Sequence, residues 1–158
     1  QAWQREGVFN NVRARFAFGI PAHGRVMARA YLVLGGLSTI ASEVAALDAA
    51  LPPFGVLDTP TLDQHVSGSV SVSGWALDNK GVTAIEILLD GAVVLTLPRD
   101  RPRPDACRLW PGYAGCDAVG FEGVLPLGGL SCAHLIEARA VDTDGNARVV
   151  GRTRVVVD

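Results

Sequence analysis

A mainly β chain, an antiparallel β-sandwich behind an N-terminal α-helical segment, is predicted by three features of this sequence. Val66, Val70, Val72 and Ala76 fall on one parity, while Ser67, Ser69, Ser71 and Ser73 fall on the other. That alternation describes a strand with one buried and one solvated face. Asp90-Gly91 separates the apolar runs VTAIEILL and AVVLTL, as a hairpin turn requiring positive φ would. From Val26 to Leu51 the chain lacks proline and spaces its apolar residues by alternating steps of four and three, which is helical periodicity.

The first stretch, QAWQREGVFNNVRARFAFGIPAHG, is of mixed character. Its Trp3, Phe9, Phe16 and Phe18 require burial, so it reads as the tail of a preceding domain or as a segment packed on the second half. The helical seam follows through Val26, Ala30, Val33, Leu37, Ile40, Val44, Leu47 and Leu51. Gly35 and Gly36 each weaken it by about 1 kcal/mol relative to alanine and mark a break, and Pro52-Pro53 end it. Two roles fit the seam: packing on a neighbour, or a coiled-coil contact that makes residues 26–51 a homo-oligomer interface. Residues 1–54 are thus expected to form a helical segment or the tail of a preceding domain, and residues 55–158 a sandwich. In the second part, AVGFEGVLPL, AHLIEARAV and ARVVGRTRVVVD join the strands already named, with TDGN as a turn. That gives about six or seven short strands without helical pattern between them.

Composition removes several function classes. Hydrophobic residues are 49% of the 158, enough for a packed core, and the net charge of -2 lacks the basic surplus of nucleic-acid binders. The longest apolar run, Ala30 to Leu37, is broken by Gly35 and Gly36, so no membrane span is expected. The opening QAWQREG, without methionine, fits a processed product or a piece of a longer polypeptide. Of the three cysteines, Cys107 and Cys116 bracket a single loop and make the best disulfide pair, worth about 2–3 kcal/mol; three reduced thiols are the alternative.

The runs VSGWALDNKGVTAIEILLDG and HLIEARAVDTDGN, with the closing alternating valines, resemble the bacterial immunoglobulin-like domains. The matching elements are Ser73-Gly74, then Ala76 with Asp78 and Gly81, then Asp90-Gly91, then Ala140 with Asp142, Gly145 and Asn146. The resemblance covers roughly residues 56–158 and none of residues 1–50. It implies an immunoglobulin-like sandwich acting as a non-catalytic accessory or binding module of a cell-envelope or secreted protein. Its location would be extracellular, on the cell surface or periplasmic, and its partner a protein or a glycan. The alternatives are a structural subunit that assembles into an oligomer or filament, and the C-terminal module of a larger carbohydrate-active enzyme. The chain departs from the family pattern twice: at Trp75, and in the insertion PRDRPRPDACRLWPGYAGCDA.

Those departures hold the candidate ligand residues, Trp75, Arg108, Trp110 and Tyr113. A constrained aromatic and arginine group suits stacking on sugars or anchoring a protein; the alternative is a plug over one end of the sandwich. Trp75 lies on the serine side of its strand, so it is expected to be partly exposed and near the RLWPGY loop, as binding platform or structural cover. No cofactor, catalytic group or metal is expected. DTDGN lacks the later glutamate of a calcium loop and reads as a capped turn. The histidines His23, His65 and His134 are scattered, and GLSCAH offers no nucleophile–base logic.

Overall fold

A computed structural model of the chain describes residues 2–5, 9–12, 30–113 and 115–158. Phe16, Phe18, His23 and Val26 lie outside the described residues, and so do the side chains of Trp3, Phe9 and Cys116. The chain divides into two compact units, 1–43 and 44–158. In the first, β1 (Ala2–Arg5) pairs antiparallel with β2 (Phe9–Val12).

Helix α1 spans Leu37–Ala49, shorter than the 26–51 periodicity predicts. Residues 30–36 are not helical, and α1 starts directly after Gly36. The reason is energetic: α1 has no fully buried side chain and only Ile40, Leu47 and Ala49 half-buried, so little packing offsets the cost of carrying the helix through two glycines. Leu37, Val44 and Leu51, which share the predicted seam, are all exposed. Among the described residues no helix is long and apolar enough to cross a membrane.

The second unit is the expected sandwich, with eight strands rather than six or seven. They are β3 (Phe54–Thr59), β4 (Gln64–Val66), β5 (Ser69–Leu77), β6 (Val82–Leu89), β7 (Ala92–Leu97), β8 (Gly120–Pro126), β9 (Cys132–Asp142) and β10 (Ala147–Val157). One sheet has the order β4-β10-β9-β6-β7 and the other β3-β5-β8. Every pairing is antiparallel except β4 with β10. Val70, Val72 and Ala76 meet Ile85, Ile87, Ile136, Ala138 and Val155 in the core between the sheets, as their parity requires. The turn between β6 and β7 has Asp90 at φ 49° and Gly91 at φ 86°.

That turn is locked from β9. Asp90 Oδ1 accepts from the Leu135 amide at 2.9 Å, and Asp90 Oδ2 lies 2.6 Å from His134 Nδ1. His134 Nε2 is 3.1 Å from the Ser131 carbonyl, so both ring nitrogens face oxygen atoms and the imidazolium can donate to both. The hydrogen bond to Asp90 raises the His134 pKa, outweighing its partial desolvation. A raised pKa makes this tie fully present below about pH 6.5, the unfolded value, and weakens it as pH rises through the folded value. We therefore expect the wild-type melting midpoint to fall as pH passes from 6 to 8, and His134→Asn to remove part of that fall. Melting curves at both pH values check this, with an identical slope in the variant as the contrary result.

Candidate functional site

The insertion after β7 is not a loop throughout: Pro104–Leu109 form a short helix, α2, which corrects the expectation of no helix among the strands. Pro104 at its first turn, followed by Asp105, is a favourable helix start. The segment then folds back over the outer face of the three-stranded sheet. Asp100 N and Arg101 N donate to Gly120 O at 3.0 and 2.9 Å, and Gly120 N returns a bond to Arg101 O at 2.8 Å. Arg103 bonds both Asp105 and Asp58, the latter on β3. Those carboxylates, Asp105 first, hold the Arg103 guanidinium more firmly protonated than usual, while Arg103 holds Asp105 far below the ordinary carboxylate range. Gly120 is required here, because a Cβ on it would lie 2.8 Å from Arg103 Cγ and 2.9 Å from Arg101 O.

Cross-strand register decides what the insertion covers. Val56 and Gly120 both lie opposite Trp75, and Phe54 lies opposite Leu77, so these residues share the outer face. Trp75, Leu77, Ala106 and Val119 form a second small core there, with Phe54, Cys107 and Tyr113 packed against it. Trp75 is only 9% exposed, which corrects the expectation of partial exposure. It is buried beneath the insertion rather than between the sheets, and its pairing with β3 and β8 stays in register. The expected nearness to the RLWPGY loop holds.

Phe54, which no sequence motif singles out, is the hub of the aromatic group. Its ring meets those of Trp75, Trp110 and Tyr113 at centroid separations of 6.0, 5.0 and 5.3 Å, all edge-on. Its only sequence signal is an aromatic residue placed directly after Pro52-Pro53 at the head of a strand. Of the four candidate ligand residues, the structure therefore gathers Trp75, Trp110 and Tyr113 but leaves Trp75 covered and Tyr113 half-buried. Trp110 is 44% exposed, next to Leu109 at 74%, and Arg108 is also exposed. Of the cysteines, Cys107 is half-buried in the small core, whereas Cys132 is free and exposed.

At one end of the sandwich, the corners ALDNKG and DTDGN lie side by side. Thr143 N donates to Gly81 O at 3.1 Å, and Lys80 Nζ reaches Asp144 at 3.0 Å. Asp78, 1% exposed, accepts from Lys80 N at 2.8 Å and Gly81 N at 3.0 Å. Asp142, 3% exposed, accepts from Asp144 N, Asn146 N and Asn146 Nδ2 at 2.9, 2.8 and 2.7 Å. Burial opposes ionisation of Asp142, but these bonds, the Asn146 amide first, lower its pKa overall. DTDGN is thus a capped turn, as its composition suggests. Among the described residues no three His, Cys, Asp or Glu side chains gather so as to hold a metal ion.

No protein-family model matches the chain, and no curated protein does. Solved structures do match. Fibronectin(III)-like modules of Clostridium thermocellum CbhA are 20% identical, with a TM-score of 0.49 over 68% of this chain and 47% of theirs. CopC from Methylosinus trichosporium OB3b is 17% identical, with a TM-score of 0.34 over 66% of this chain and 93% of its own. The chain spans about half the length of the first of these. Its own two sheets and the core between them make it an immunoglobulin-like β-sandwich with an N-terminal helical segment.

Proposed function

We propose that the chain is a non-catalytic accessory module of a cell-envelope or secreted protein, and that it binds a protein partner through the tip of its insertion. The observation behind this reading is Trp110, held edge-on by Phe54 yet 44% exposed, beside the more exposed Leu109. Arg108 on the same tip has no ion-pair partner among the described residues, which leaves its guanidinium for an acidic group of the partner. A rigid indole flanked by leucine and arginine matches the anchors that dominate protein interfaces. A sugar platform is the weaker fit, because two of the three rings expected to stack, Trp75 and Tyr113, are covered or half-covered. The non-catalytic reading is supported at GLSCAH, where Asp90 and Ser131 occupy both nitrogens of His134, so that this imidazole has no free nitrogen to turn toward Cys132. A Cys107–Cys116 bridge belongs to the same reading, since it would fix the tip from which Trp110 projects.

The test is co-purification from the envelope and secreted fractions of the source cells, with a glycan array in parallel. Trp110→Ala is expected to weaken a specific partner about 30-fold, as an interface hot spot does, and reductant to weaken it further. Equal retention by wild type and Trp110→Ala would remove the tip as the site. Array binding that depends on Trp110 would replace the protein partner with a glycan.

A further inference from the structure

The C terminus of helix α1 is closed locally only by long bonds of a tightened last turn, Ala50 N to Leu47 O and Leu51 N to Asp48 O, both at 3.3 Å. Its last turn carries no basic side chain, and the residues after it are Ala50, Leu51, Pro52 and Pro53, with no glycine to turn left-handed. Asp48 even places a negative charge at the negative end of the helix dipole. Stronger caps come from the sandwich. Asn79 Nδ2, in the ALDNKG corner, donates to Asp48 O at 3.1 Å. Asn146 Nδ2, in the DTDGN corner, donates to Ala49 O at 2.8 Å while its other hydrogen meets Asp142 Oδ2.

We propose that these two corners form a latch: a docking site for a helix C terminus that holds residues 44–49 of α1 through two asparagine amides and can release them. The releasable character follows from what the contact lacks. No α1 side chain is fully buried and only Leu47 and Ala49 of the docked turns are half-buried, so opening exchanges a few hydrogen bonds for water and exposes little apolar surface. A 13-residue helix is marginal by itself in water, so its C-terminal turns should fray once released. Each corner is rigid in its own right, because Asp78 and Asp142 tie the turn backbones from inside. Asn146 is therefore presented to α1 whether or not it is docked, while the exposed Asn79 amide takes its place on docking.

Hydrogen exchange of the full chain, read by mass spectrometry on peptides covering residues 44–51, tests the latch. Wild type should exchange more slowly there than an unstructured peptide. Asn79→Ala, which removes an amide with no bond to the sandwich's own turns, should speed this segment about fivefold, one cap's worth. Asn79→Ala with Asn146→Ala should speed it further, with β6 and β9 unchanged in the single variant. Coil-like exchange of the segment in wild type would overturn the proposal, as would a rate that Asn79→Ala leaves unaltered. Matching acceleration of β6 and β9 in Asn79→Ala would assign the residue to the sandwich fold instead.

Discussion

Replacing Trp75 with alanine is expected to destabilise the 44–158 unit by about 3–5 kcal/mol, the range for removing a buried tryptophan. The indole is sandwiched between β5 and the insertion, where it meets Phe54 edge-on and packs with Leu77, Ala106 and Val119. Its loss leaves a cavity that Gly120, directly across the strand pair, has no side chain to fill. A domain of this size loses several degrees of melting temperature per kcal/mol, so the midpoint should fall by more than about 10 °C. The same substitution should loosen the insertion, because Phe54 and Tyr113 lose the surface on which they rest. Protease cleavage within residues 103–115 should therefore accelerate below the melting transition. A pure binding platform would behave in the opposite way, with normal melting and intact insertion. Trp75→Phe, which keeps a ring beside Phe54, should lose less stability than Trp75→Ala.

Strand parity reads reliably where a sheet has one dry and one wet face, and fails where another part of the chain dries the wet one. Val70 and Val72 alternate with exposed Ser69 and Ser71 as their spacing demands. Four residues after Ser71 the same parity places Trp75 on the outer face, and that placement is correct. Its burial was illegible because the cover comes from Ala106, Cys107, Tyr113 and Val119 of the insertion, brought there by Arg103 reaching Asp58 and by the backbone pairing of Arg101 with Gly120. Phe54 was illegible for a related reason: a ring contacted by three aromatic residues from two distant segments has no local pattern. The 26–51 periodicity misleads in the other direction. An apolar seam extends a helix only when a partner covers it, and Leu37, Val44 and Leu51 remain exposed. The corners were the most legible parts, since Asx turns depend on residues two to four positions apart.

Asp142→Ala should cost about 1–3 kcal/mol, because it strips the acceptor from three part-buried donors of the turn. The carboxylate takes the amides of Asp144 and Asn146 on Oδ1 and the Asn146 side chain on Oδ2. Asp142→Asn separates the two oxygens. One amide oxygen still receives the backbone bonds, but an NH2 group then confronts Asn146 Nδ2, donor against donor. Its cost should therefore be smaller, about 1–2 kcal/mol, and concentrated on Asn146, which also holds Ala49 of α1. The pH dependence follows from the lowered pKa of Asp142. Its contribution is complete above the unfolded value of about 3.9 and is lost as pH falls through the lower folded value. Wild type should thus lose more stability between pH 5 and pH 2 than Asp142→Asn does. Denaturant titrations at pH 5 and pH 2 measure that difference. An equal loss in both proteins would mean that the acid sensitivity of the sandwich arises elsewhere, with Asp90 beside His134 the next group to test.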